Sequence, residues 1–519
     1  MIKNIEIVIR PEDINNKEVL YAEAAQQLKV NVAEVNAVQI LKKSIDARRR
    51  PVFRLITNVY VNETPASSEI NFPVYKHISS NKTAAIVGFG PAGMFAALRL
   101  IELNIKPIVF ERGKDVQERR KDLRNLQQLH IVNSDSNYCF GEGGAGTYSD
   151  GKLYTRSTKR GDVKKILNVF VQHGADKDIM IDAHPHIGSN KLPKVVKDIR
   201  ETIINCGGEV NFKSKVTDIK VENNKIKSLI INDEQEVTAD AFIFATGHSA
   251  RDIYFMFHKN NIKIEPKPFA MGVRIEHPQE IINEIQYHTK ERNPNLPAAT
   301  YNLACDVDGR GVYSFCMCPG GIIVPAATSP GEIVVNGMSL SKRDSAFANS
   351  GFVASVTEKD WQKYENDYPF SGLHLQMEVE QNAFRLGNQT QSAPAQKVTD
   401  FVNSKISTSL NKTSYIPGIV SAPLHSELPS FISKSLKRAL LVFDKKMKGY
   451  FTEEAQILGV ESRTSSPLRV PRNKEDYMHI EVEGLFPVGE GAGYAGGIVS
   501  AAIDGENGAD SVAKYILKS

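Results

Sequence analysis

Two short runs in this sequence combine residue types and spacings that carry chemistry. The first is Gly88-x-Gly90-x-x-Gly93, with Glu111 about twenty residues further on. Gly88 permits a tight turn, Gly90 lets the backbone approach a pyrophosphate, and Gly93 lets a helix pack closely on a strand. Pro91 and Ala92 open that helix, whose N-terminus presents N–H groups and partial positive charge to the phosphates. Glu111 is placed to accept hydrogen bonds from an adenosine ribose and disfavours a 2′-phosphate; Arg112 follows it in the same cofactor-binding set. The second run is Cys316-Met317-Cys318-Pro319. It reads either as a redox-active thiol pair or as two small residues in a buried turn before Gly320-Gly321, and a C-x-C disulfide would close a small, strained ring. Cys316 and Cys318 are therefore the candidate catalytic residues.

Other candidates are weaker. His184-Pro185-His186 lacks a Cys or carboxylate at ligand spacing, so it reads as a turn rather than a metal site, and no metal is expected. His248 and Arg251 lie just after a strand, where Arg251 either neutralises a cofactor phosphate or pairs with an acid of the protein. Arg274 and Arg343 are candidates for binding an anionic substrate. No general acid or base stands out. The basic cluster Lys42, Lys43, Arg48, Arg49 and Arg50 has no interleaved aromatic residues for base stacking, so a solvated hairpin face is the preferred reading.

These residues must be positioned by a chain of 519 residues, long enough for three or four domains. Its 41% hydrophobic and 24% charged residues suit a globular protein with a sizeable core. With 64 basic against 60 acidic residues the net charge is only +4, which argues against a dedicated nucleic-acid or membrane-surface protein. Five cysteines exclude a disulfide scaffold and point to a reducing compartment. No apolar signal-like segment or membrane-length run is present, so a cytoplasmic protein is expected.

The pattern predicts a small N-terminal α+β domain over 1–75, with strands around 5–9, 35–41 and 53–61 and a helix from Glu18. The polar stretch NETPASSEINFP reads as a linker. A discontinuous nucleotide-binding domain is expected over 80–255 plus 455–519. It opens with a strand, the Gly88 turn, a helix and a second strand ending at Glu111, the order of a parallel, doubly wound sheet. A mixed α+β substrate or cap domain is expected over 256–454, with SKSLKRALLVFDKKMKGY as a surface helix on it.

Three further segments separate FAD from NAD. Ala97 and Leu100 pack inward in the long form of the flavoprotein fingerprint, with Asn104 where that fingerprint has Gly; Asn tolerates the left-handed conformation. Ala245-Thr246-Gly247 follows a buried strand, as in a second flavoprotein signature. Val488-Gly489-Glu490-Gly491-Ala492-Gly493 resembles the C-terminal signature whose acid binds the ribityl chain, with Glu490 in place of the usual Asp.

With GEGGAGTYSDGKLYTR (141–156), ATGHSARD (245–252), FCMCPGG (315–321), VNGMSLSKRDSAFANS (335–350) and ESRTSSPLRV (461–470), the chain resembles a bacterial family of FAD-utilising dehydrogenases within the glutathione-reductase-like flavoproteins. The resemblance implies an α/β fold: a Rossmann-like FAD/NAD(P)-binding domain, a mixed α+β cap and the small N-terminal domain. It also implies that Val216 contacts the adenine through its backbone. The loop carrying Gly144, Gly146 and Thr147 would lie near the flavin ring, and Gly496, Gly497 and Ile498 would aim N–H groups at the flavin's pyrimidine edge. Only one dinucleotide fingerprint is found, so electrons would come from transient NAD(P)H docking, a protein electron donor or a small-molecule substrate. The expected function is an FAD-dependent oxidoreductase moving two electrons through flavin N5. The alternative is a flavin-bound RNA- or protein-interaction factor, supported only by the N-terminal domain. A pure NAD-dependent dehydrogenase is disfavoured by the Gly489–Gly493 run.

Overall fold

The computed structural model describes residues 1–65, 71–155 and 160–518. Part of the expected linker and Arg156 of the 141–156 motif lie outside the described residues.

Strand β1 (Ile2–Ile9), helix α1 (Lys17–Leu28), strand β2 (Val35–Asp46) and strand β3 (Val52–Val61) form an antiparallel sheet of order β1-β3-β2 backed by α1. Alternation drives Ile7 and Ile9 inward, and α1 buries Leu20, Ala24 and Ala25 against them. The β2 backbone also bonds outside its own sheet: Lys43 N donates to Ile181 O (2.8 Å) and Ala183 N donates to Lys43 O (2.9 Å).

The second unit is built on strand β4 (Thr83–Val87), helix α2 (Pro91–Glu102), strand β5 (Lys106–Phe110) and strand β6 (Glu209–Asn211). Next come an antiparallel meander, β7 (Val216–Glu222), β8 (Lys225–Ile231) and β9 (Gln235–Thr238), and strand β10 (Ala241–Phe244). A parallel five-stranded sheet runs Leu485–Pro487, β10, β4, β5, β6. The expected α/β fold with a parallel sheet is present. A Cβ on Gly93 would sit 2.0 Å from Gly88 O, so only glycine lets α2 rise this close to the turn. Gly88 itself holds φ +97, and Asn104 ends the α2 turn at φ 57, the left-handed conformation anticipated for it. The C-terminal helix Ile498–Lys518 packs along α2.

Between these segments lies a seven-stranded sheet, in order 304–307, 310–318, 347–356, 269–278, 456–461, 393–397 and 419–421. Its core is continuous with that of the N-terminal sheet. The helix Ser430–Lys446 lies on this domain's surface as expected: Ile432, Leu436, Ala439, Leu440 and Phe443 form a stripe buried in the core, while Lys434, Arg438, Lys445 and Lys446 stay exposed. Among the described residues no helix is long and apolar enough to cross a membrane.

Candidate functional site

The parallel sheet and the seven-stranded sheet enclose a cavity of about 1180 Å³. One part of its wall is the nucleotide motif: Gly88, Gly90, Pro91, Ala92, Glu111, Arg112, Val216, Ala245, Thr246 and Gly247. Glu490, Gly144, Gly146, Gly496, Gly497 and Ile498 complete that part. The rest is a polar chamber with Asp150, Lys152, Tyr154, His184, Tyr313, Cys316, Asn336, Arg343 and Glu461. Such a volume exceeds the roughly 300–1,000 Å³ of an ordinary small-molecule site.

Each feature of the motif wall has a physical cause. Glu111 is buried because its carboxylate organises the turn. Phe89 N donates to Oε2, and Gly113 N and Gly141 N donate to Oε1, each at 2.9 Å. With one donor on Oε2 the carboxylate keeps acceptor capacity, and Glu111 lines the cavity. Gly90 caps α2 without any side-chain cap, so the helix N-terminus opens onto the cavity. A Cβ on Gly496 or Gly497 would meet nothing within 4 Å, and one on Gly90 only the Gly144 Cα at 4.0 Å. These are cradle positions, where a side chain would enter space the fold leaves free. The residues present thus fit a dinucleotide with a bulky second ring system.

Not every predicted residue faces that space. Gly93 and Gly489 lie behind the wall: Gly93 packs on the Gly88 carbonyl, and Gly489 N donates to Asp504 at 2.7 Å. Thr147 is a correction. It is buried, its Oγ1 donates to Glu142 O at 2.8 Å, and it braces the 141–149 loop instead of lining the cavity. Arg251 is resolved as a structural residue, pairing with Glu332 (3.0 Å) and Glu380 (2.8 Å). Arg274 is fully buried on Glu461 (3.0 Å), so it cannot receive a substrate directly. Arg343 does line the cavity, bonded to Asp150 at 2.5 Å. Glu490 reaches His248 Nδ1 at 3.2 Å, and His248 Nε2 donates to the Arg463 carbonyl at 3.0 Å.

Of the thiols, Cys316 lines the cavity and Cys318 is buried behind it. Lys152, which the sequence reading missed, sits 3.7 Å from both sulfurs. Its only local signal was a basic residue in a glycine-rich loop. His184 and Pro185 reach the cavity because β2 holds the preceding residues, with Lys43 Nζ 3.0 Å from Asp182. The Arg48–Arg50 turn is exposed, and Arg48 is bonded to Asp46 at 2.6 Å.

Residues 268–464 match the family described as FAD-dependent protein, C-terminal domain-like, and residues 1–60 match a domain of unknown function. An uncharacterised protein of Clostridium beijerinckii is 40% identical over 537 residues, covering 100% of this chain and 98% of its own length. The chain belongs to that protein's family. Solved structures resemble this family member more distantly. A flavoprotein/dehydrogenase from Cytophaga hutchinsonii is 13% identical over 84% of this chain and 79% of its own, with a TM-score of 0.37. A geranylgeranyl bacteriochlorophyll reductase-like protein from Thermoplasma acidophilum is 14% identical over 84% and 79%, with a TM-score of 0.33.

Proposed function

We propose that this family member is an FAD-dependent oxidoreductase of the glutathione-reductase-like type. In this reading it binds FAD along the wall of 88–92, 110–112, 144–146, 245–247, Glu490 and 496–498. A small substrate is held in the adjoining polar chamber. The observation that carries the reading is that motif wall and chamber line one cavity. FAD, when bound, supplies two-electron chemistry at N5.

The chain's own residues do the rest. Glu111 takes the adenosine ribose, Val216 borders the adenine, and the α2 N-terminus faces the pyrophosphate. Glu490 holds the ribityl chain while His248 fixes its carboxylate. The N-terminus of the helix Ile498–Lys518 would place its partial positive charge beside the flavin ring. Arg343 and Lys152 give the chamber a positive character suited to an anionic or soft substrate. Reduction by NAD(P)H, action as a dehydrogenase and a cytoplasmic setting complete the proposal; the five cysteines, all free, agree with that setting.

The test is an anaerobic absorbance titration of the FAD-loaded protein with NADH, then NADPH. Rapid bleaching of the flavin band is expected for a nicotinamide-driven reductase. A flavin bleached by dithionite but by neither nucleotide assigns reduction to the substrate or a protein donor. Absence of any flavin band overturns the cofactor assignment.

A further inference from the structure

The densest chemistry beyond the motif wall is the cluster around Cys316 and Cys318. The strand 310–318 bulges here: its pairing with 347–356 jumps from Phe315 to Cys318, and Cys316 takes φ 45. A non-glycine residue in that conformation is uncommon within a strand. The bulge leaves Cys316 on the cavity wall and Cys318 fully buried behind it.

The charged groups on the sulfurs, and the partners of those groups, come from four elements. The 149–155 loop supplies Lys152, 3.7 Å from both sulfurs and 3.1 Å from Asp150. The loop after 335–339 supplies Arg343, 2.5 Å from Asp150. The strand 269–278 supplies Arg274, with Nη2 3.4 Å from the Cys318 sulfur and 2.9 Å from Cys316 O. The strand 456–461 supplies Glu461, 3.0 Å from Arg274. The linked cluster thus holds three cations against two carboxylates, and a thiolate makes up the deficit. The Cys318 thiol donates to Cys316 O at 3.4 Å. Cys318 beside it, with Lys152 and Arg274, holds the Cys316 thiol far below the ordinary range, against burial. Cys316 and burial push Cys318 up. One thiolate therefore faces the cavity and one thiol backs it, as attacking and resolving sulfurs do.

We propose that Cys316 and Cys318 form a dithiol–disulfide couple that reduces a small disulfide inside the cavity. The Cys316 thiolate attacks one sulfur of R–S–S–R, forming a Cys316–S–S–R bond and expelling RS⁻ beside the Lys152 ammonium. Cys318 gives its proton to that RS⁻ and attacks the Cys316 sulfur, closing the Cys316–Cys318 bond and releasing the second RS⁻. Two electrons have moved to the substrate, which leaves as RSH and RS⁻. Restoring the thiolate and thiol takes two electrons and one proton, drawn from bound FAD that a nicotinamide hydride donor has reduced. Only this last step rests on the flavin reading.

The test uses the full chain, with and without FAD, reduced and then freed of reductant. Iodoacetamide labelling is followed by peptide mass spectrometry. An ordinary thiol labels about fiftyfold more slowly at pH 6.5 than at pH 8.5; Cys316 is expected to change less than about threefold. Lys152→Gln is expected to slow Cys316 labelling at pH 6.5 tenfold or more, and Lys152→Arg to restore it. Glutathione disulfide is expected to yield a Cys316–Cys318 cross-linked peptide, and in Cys318→Ser a glutathione adduct on Cys316. Ordinary titration of Cys316, or no cross-link and no adduct, overturns the proposal. A chain that shows both thiol signatures but binds no FAD supports the couple and sinks the flavin reading. One that binds FAD with an inert Cys316 does the reverse.

Discussion

Two buried charge clusters meet at the segment Glu461–Arg463, and they are built to opposite plans. On one side Arg251 and Arg463 face Glu332 and Glu380, two charges against two, with Gln376 bonded to Arg251 and Ser462 to Glu380. These side chains are nearly closed to solvent. Burial opposes ionisation of Glu380, but Arg251 and Arg463 outweigh it and hold its carboxyl down at about 2. On the other side, cations outnumber carboxylates and the cluster opens onto the cavity. There burial outweighs the pull of Arg274 and pushes Glu461 up to about 7. A matched cluster, nearly closed to solvent, fixes the 251–259 helix to the central domain; an unmatched one on the cavity keeps charge available for chemistry.

The comparison breaks first, and hardest, at Arg463. Arg463→Met leaves two buried carboxylates sharing Arg251, a change that costs about 3–5 kcal/mol. Thermal denaturation is expected to show a fall in Tm far larger than for Lys152→Met in the open cluster. Gly497→Val comes next. Its Cβ meets nothing within 4 Å, so Tm is expected to hold while FAD affinity falls tenfold or more, about 1.4 kcal/mol. Lys152→Met follows at about 1 kcal/mol of stability, since this side chain is 36% exposed and Arg343 still serves Asp150. A loss from Lys152→Met equal to that from Arg463→Met would erase the distinction drawn here.

A pH slope tests the same contrast in a second way. A carboxyl raised by folding contributes stability while protonated and loses it as pH rises, for Glu461 between its unfolded value near 4.3 and about 7. Glu380, held down, keeps its contribution above its unfolded value and loses it only as pH falls toward about 2. Glu461→Gln should therefore gain Tm relative to the parent between pH 5 and pH 8. Glu380→Gln should show no such gain. Paired Tm measurements at the two pH values check both signs.

What was legible in the sequence is what local geometry encodes. The Gly88–Gly93 turn, Asn104 and the 245–247 and 489–493 turns are marked by residue types at fixed short spacings, and Glu111 by its place at the end of the second strand. The α/β fold followed from them. The clusters were not legible in that way. Lys152 reaches sulfurs 164 and 166 residues distant, and Arg251 reaches a carboxylate 129 residues on. No periodicity records such pairings. Thr147 and Arg274 show the converse: residues of the right type beside a motif, turned inward because a carbonyl or a carboxylate there needed a donor.

The central claim is that FAD occupies the cavity walled by Gly88–Arg112 and Gly496–Ile498. Equilibrium titration of the purified chain with FAD, followed by flavin absorbance and fluorescence, tests it most directly. The account predicts saturable binding of one FAD per chain with a perturbed flavin spectrum, weakened at least tenfold by Gly497→Val without loss of fold. No binding by the parent chain, or binding that Gly497→Val leaves unchanged, would contradict it.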